Sequence, residues 1–204
     1  MTGHFTSAKT YVRYQSDALV LRLARFVWIM HLLTAALMGA LLLAHGDIPG
    51  SQVWLWMLWM VILGCVQGTV AIRGSNVAHF EGDLSGMVHI FDASVILLAC
   101  GYGALAFVPT GDAELSQFAG FIVGGGILTG VGTHNPRYRT LVVTLLIIIP
   151  LMALRALMDN DGERGLIAAG MLVVFLLLML GLGWVLRGFS RRGFQLQWDK
   201  MQLA

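Results

Sequence analysis

Six long apolar stretches, separated by short polar segments, dominate the chain. The hydrocarbon core of a bilayer is about 30 Å thick, and a helix needs about 20 mostly apolar residues to cross it. The predicted spans are residues 20–44, 53–72, 87–108, 118–133, 141–157 and 166–186. The pattern therefore predicts an all-α polytopic membrane protein, built as a bundle of six transmembrane helices.

The fourth predicted span is the shortest and the richest in glycine. Gly120 and Gly124, and likewise Gly126 and Gly130, follow a small-xxx-small spacing. In a membrane this spacing lets helix backbones approach closely. We therefore expect the fourth span to lie at the centre of the bundle, where Gly124 would border a binding cavity.

Composition excludes most soluble proteins. Of the 204 residues, 57% are hydrophobic and 12% are charged, whereas soluble domains carry about 25% charged residues. A soluble enzyme and a disordered chain are therefore excluded. The net charge of +2 is too small for a nucleic-acid-binding surface, so the expected partner is the lipid bilayer and not a nucleic acid.

The basic residues are distributed unevenly and predict the orientation. Of the 13 Lys and Arg residues, only Arg155 and Arg164 fall on one side of the predicted spans. Because cytoplasmic loops carry the excess of Lys and Arg, both termini are expected in the cytoplasm. This gives a cytoplasmic segment 1–19, a transmembrane domain 20–186 and a cytoplasmic exit helix 187–204, with 73–86 as the longest inner loop.

The exit helix carries an apolar stripe. Phe194, Trp198 and Met201 follow i, i+4, i+7 spacing, which is typical of one helix face. Two interpretations stay open. The segment is either an interfacial helix lying on the membrane, or the first turns of a parallel coiled coil whose output domain lies beyond this chain.

Ionisable groups inside membrane spans are costly and commonly functional. His89 and Asp92 lie three residues apart near the start of the third span, where the carboxylate would orient the imidazole, support a metal ligand, or simply pair with the imidazole or the helix backbone. His31 in the first span begins at a similar depth, and two histidines on facing helices are the minimum for a b-type haem. The sequence requires no cofactor; haem b or a metal ion held by His31 and His89 is the alternative.

The candidate ligand-binding residues share an interior or span-edge position in the predicted helices. Gln67 is deep in the second span, Arg155 is near the outer end of the fifth, and Pro150 is expected to kink that same helix. The candidates are His31, Gln67, His89, Asp92, Gly124 and Arg155. No catalytic motif accompanies them, so the residues by themselves assign no reaction to this chain.

Three features of the chain carry a resemblance to a known family. They are the tryptophan-containing second span that ends in Arg73, the junction 134–138 before the span with Pro150, and the sixth span that continues through Arg187 to Trp198. On these features the chain from Trp56 onward resembles the N-terminal multi-pass membrane sensor module of bacterial sensor histidine kinases and diguanylate cyclases. The resemblance implies a receptor, often a dimer, whose cytoplasmic output domain or partner follows the exit helix.

The function expected first is therefore a transmembrane sensor that relays a membrane-associated or small-molecule signal to a cytoplasmic output of the histidine kinase or cyclase type. The alternative is a small haem- or metal-binding electron-transfer membrane protein. A structural or assembly subunit is a third possibility, for which neither histidine should matter.

Overall fold

The described chain is entirely helical. The computed structural model describes residues 7–45, 49–79, 83–105, 137–159 and 162–203. All five helices are long and apolar enough to cross a membrane, which confirms the all-α membrane fold for the part of the chain that is described. The predicted fourth span, 118–133, and its residue Gly124 lie outside the described residues. The helices are α1 Ala8–His45, α2 Gly50–His79, α3 Ser85–Ala104, α4 Tyr138–Asp159 and α5 Glu163–Leu203.

Several helices run beyond their predicted spans. α1 begins at Ala8 and α5 ends at Leu203, because hydropathy marks only the apolar part of a helix and not its ends. The prediction of a loop from 73 onward is wrong, since α2 continues to His79. Gly74, which is typical of a turn, is instead buried where α2 meets Leu21 of α1.

The helices pack in chain order, and α5 returns to contact α1. The described helices therefore form a closed ring with two apolar clusters. One cluster joins α1, α2 and α3 around the fully buried Phe91. The other contains residues of all five helices, including Ala35, Met60, Tyr102 and Leu145.

Helix directions follow from contacts at the two ends. Arg137, immediately before α4, bonds Asp17 of α1 and Asp92 of α3. Farther along, Gly103 of α3 lies against Leu151 of α4. Helices α1, α3 and α4 thus start at the same end of the bundle, where α2 and α5 finish. We call this end, which holds Arg137 and the last turns of α5, the basic end.

The outer surface of the ring is apolar. Leu55 and Leu58 of α2 and Leu177 of α5 are all more than half exposed. Only Gly165, Met179 and Gly183 are buried along α5. Such a surface is unfavourable in water but is what a helix presents to lipid, where the surrounding solvent is itself apolar.

Candidate functional site

A three-helix ion cluster lies at the basic end. The Arg137 guanidinium donates from Nη1 to Asp17 Oδ1 at 2.6 Å, from Nη2 to Asp92 Oδ2 at 2.5 Å and from Nε to Asp92 Oδ1 at 3.1 Å. The two bonds to Asp92 form the planar fork that distinguishes arginine from lysine. The side chains of Arg137, Asp17 and Asp92 are only 20%, 14% and 15% exposed. One side chain therefore links α1, α3 and the start of α4.

The electrostatics of this cluster keep the arginine charged. Burial by itself lowers the pKa of Arg137, but the hydrogen bonds and negative charges of Asp92 and Asp17 outweigh it and raise that pKa above its ordinary value. A largely buried cation with two anionic partners is stable only while all three side chains remain together. The cluster is therefore suited to hold one arrangement of the three helices.

Asp92 does not pair with His89 as one interpretation of the sequence predicts. Both Asp92 oxygens accept from Arg137, while His89 lies on an exposed face of α3. The i, i+3 spacing placed the two residues one turn apart, but the aspartate is satisfied by a residue from another helix. Sequence spacing within α3 gave no sign of Arg137, which lies 45 residues away.

His31 instead lies beside Tyr102, with His31 Nδ1 and the tyrosine hydroxyl 3.3 Å apart. The rings are tilted by 47° with centroids 6.1 Å apart, and Tyr102 is 6% exposed. Tyr102 follows His89 by thirteen residues of α3, which is a rise of about 20 Å at 1.5 Å per residue. The structure therefore does not bring His31 and His89 together as a pair of haem or metal ligands.

Gln67 places a side-chain amide in the interior of the bundle. It is 2% exposed, and its Oε1 has no hydrogen-bond partner among the described residues. Its neighbours along the helix, Gly64 and Gly68, lie against Leu32 and Trp28 of α1. Leaving a buried acceptor unsatisfied costs about 1–3 kcal/mol, so a water or a polar ligand group would be stabilised here.

The predicted site residues that the structure describes do not converge on one pocket. Arg155 is partly buried near the end of α4, at the opposite end of the bundle from Asp92. Asp17 and Arg137 were not among the sequence candidates. The sequence does contain a signal for Asp17. It is an acidic residue in an otherwise basic segment, and it lies toward the same side of the predicted membrane as Asp92.

The exit helix packs against the beginning of α1. Trp198 stacks on Tyr11 with ring centroids 5.4 Å apart and a tilt of 40°, and Tyr11 is 7% exposed. Phe194 and Met201, the other stripe residues, are partly buried. At Trp198 the stripe is thus covered by this chain itself, a contact that neither sequence interpretation included.

Comparisons with protein-family models, curated proteins and solved structures give no match to this chain. Within the described residues there is also no group of three or more His, Cys, Asp or Glu side chains positioned to hold a metal ion. Among the described residues, the polar groups in or beside the bundle interior that could contact a ligand are the ion cluster, the His31–Tyr102 pair and Gln67.

Proposed function

We propose that this chain is a transmembrane sensor module that relays a membrane-associated or small-molecule signal to a cytoplasmic output of the histidine kinase or cyclase type. The observation that carries the proposal is that one unbroken helix connects the bundle to the C-terminal tail. α5 is a single helix of 41 residues, about 60 Å long at 1.5 Å per residue. Its last turns contact α1 through Trp198 and Tyr11, so a change in bundle packing would move the tail.

The interior polar groups supply a place for the signal. Gln67 is buried with an unsatisfied oxygen, and His31 and Tyr102 face each other between α1 and α3. A ligand shifts an equilibrium only if it binds one packing better than the other. A polar group that satisfies Gln67 in one packing alone would meet that condition.

The proposed topology has six crossings with both termini in the cytoplasm of a bacterial inner membrane. The common starting end of helices α3 and α4, the basic end, supports this number of crossings. The predicted fourth span, 118–133, falls between these two helices in the sequence. The excess of Lys and Arg at the basic end supports its cytoplasmic location.

A reporter fusion tests the sensor function. The full chain would be joined after Ala204 to the catalytic part of a histidine kinase and assayed in membrane vesicles while membrane-partitioning compounds, redox state and pH are varied. We expect at least one stimulus to change phosphorylation. We also expect Arg137→Gln to change the basal output, because it releases the contact between α1, α3 and α4.

The matched control is Arg164→Gln. It removes the same charge from an exposed residue in the first turn of α5, at the end of the bundle opposite the basic end. It should leave the output unchanged. If neither a stimulus nor Arg137→Gln alters the output of a fusion that is folded and active, the sensor function is wrong. Dimer formation would be read from the same vesicles by cross-linking.

A further inference from the structure

A groove of about 790 Å³ opens at the basic end between the start of α1, the start of α4 and the last turns of α5. Three separate helices contribute basic side chains to it. These are Lys9, Arg13, Arg137, Arg139, Arg187 and Arg191.

The positive charge of this groove is not balanced by the described protein. Asp17 is the one acidic residue that lines it, and both Asp17 and Asp92 are already bonded to Arg137. The other five basic side chains form no ion pair with a described carboxylate. Like charges have been brought together here without a counter-charge, which is unfavourable unless an anion binds between them.

Arg187 lies close to two of the other basic side chains of the groove. Its guanidinium lies 5.6 Å from the centre of the Tyr138 ring, and Arg139 and Arg191 are close enough to repel it. Its Nε is buried and has no hydrogen-bond partner among the described residues. A donor that is buried, charged and unsatisfied beside two further guanidinium groups indicates a site for an oxyanion.

The depth of the groove indicates which oxyanion. Arg137 lies four residues before the apolar run 141–157 of α4, and Arg187 immediately follows the apolar run 166–186 of α5. Both therefore lie where lipid headgroups meet the hydrocarbon core. We propose that this groove binds the phosphate of an anionic phospholipid headgroup, with Arg139, Arg187 and Arg191 as its principal ligands. Planar guanidinium groups match the geometry of phosphate oxygens, and the proposal does not depend on the signalling role.

Lipid titration tests the proposal on the full chain in neutral detergent. Short-chain phosphatidylglycerol and phosphatidylcholine would be titrated separately, and binding would be followed by native mass spectrometry. We expect tighter binding of phosphatidylglycerol. In Arg139→Gln/Arg191→Gln its affinity should fall about 30-fold, from a loss of about 1 kcal/mol for each basic residue. Both residues are exposed, so the variant should keep the helical circular dichroism of the wild type.

Two further variants and two further ligands make the result decisive. Arg139→Lys/Arg191→Lys keeps the charge and should recover most of the affinity. Arg73→Gln removes a charge from an exposed position of α2 outside the groove and should bind normally. An equal loss in Arg73→Gln, or no preference for phosphatidylglycerol, would overturn the site. Inorganic phosphate and glycerol phosphate that compete at the affinity of the lipid would overturn the lipid as its source.

Discussion

Arg137 shows how one side chain can decide the arrangement of three helices. Its guanidinium bonds Asp17 and Asp92 at the same time, and all three side chains are largely removed from water. Removing one member of a buried ion pair leaves an uncompensated charge, which destabilises more than the pair itself stabilises. The cluster therefore acts on the specificity of packing more than on net stability.

We predict that Arg137→Gln lowers the free energy of unfolding by about 3 kcal/mol, the lower end of the range for breaking a buried ion pair. The cause is the pair of carboxylates left without a cation in a largely buried site. Unfolding in mixed micelles with increasing sodium dodecyl sulfate, followed by circular dichroism, measures the difference.

Arg139→Gln is the matched control for this prediction. It removes the same charge two residues away, from an exposed side chain, and surface substitutions of this kind change stability by less than about 0.5 kcal/mol. Adding Asp92→Asn to Arg137→Gln should restore part of the loss. Equal effects of Arg137→Gln and Arg139→Gln would contradict the role given to the cluster.

Helices α1 and α2 pack closely because glycines, which have no side chain, lie where the two helices touch. A Cβ on Gly68 would lie 2.6–2.9 Å from ring atoms of Trp28, and one on Gly64 would lie 2.7 Å from Leu32. An indole ring is rigid, so the helices themselves would have to separate.

We predict that Gly68→Ala destabilises the bundle by about 1–3 kcal/mol, as overpacking of a tight contact does. Gly170→Ala on α5 is the control, because a Cβ there meets no described residue within 4 Å. It should be neutral or slightly stabilising in the same unfolding measurement. A Gly68→Ala that is as neutral or stabilising as Gly170→Ala would show that helix propensity, and not close packing, governs these positions.

The start of α3 is held by an aspartate outside the membrane. Asp83 accepts a hydrogen bond from the Ser85 amide at 2.9 Å and one from its hydroxyl at 3.0 Å. These bonds, the amide bond first, lower the pKa of Asp83. A carboxyl whose pKa is lowered on folding stabilises the folded state above its unfolded pKa, about 3.9, and that contribution disappears as pH falls through the lower folded pKa.

We therefore predict that the amide resonance of Ser85 titrates with a midpoint below 3.9, the ordinary aspartate value, and that the first turn of α3 loosens as this titration proceeds. Nuclear magnetic resonance in detergent micelles measures both. Ser85→Ala removes the hydroxyl donor but keeps the amide, so it should move the midpoint part of the way upward. A wild-type midpoint at or above the ordinary value would contradict the hydrogen bonds described here.

On the scale of the whole molecule, the ring is closed at the basic end by the two helices that are farthest apart in the chain. α1 and α5 both extend beyond their apolar parts, and Trp198 of α5 contacts Tyr11 of α1. An aromatic pair of this kind contributes about 0.5–1.5 kcal/mol beyond the area that it buries. The tail is thus docked on the bundle, with a contact weak enough to be altered by repacking.

We predict that Trp198→Ala increases amide hydrogen exchange over residues 190–203 about tenfold, which corresponds to a local loss of about 1.4 kcal/mol. Exchange in the apolar part of α5 should not change. Leu196→Ala is the control, since Leu196 is 62% exposed and lies two residues away. If both substitutions leave exchange unaltered, the tail is not held by the Trp198–Tyr11 contact.

Sequence patterns predicted the parts of this fold that depend on whether each side chain is surrounded by lipid or by water. The apolar runs at 53–72 and 141–157 lie within α2 and α4, because transfer into lipid depends on each side chain locally. Patterns failed where a residue has more than one use. Gly74 falls in the predicted inner loop 73–86 but is a close-packing position of α2. Asp92 has His89 as one predicted partner but is bonded to Arg137.

By itself, the sequence determined that the five described segments are apolar helices long enough to cross a membrane. Hydropathy and helix length depend only on residues that follow one another in the chain. It also determined the uneven distribution of basic residues. Only the tertiary structure decided that Asp17, Asp92 and Arg137 meet, that His31 lies beside Tyr102 far from His89, and that Trp198 returns to Tyr11. The physical reason is that such contacts depend on helix rotation and register, which the packing of several helices together sets.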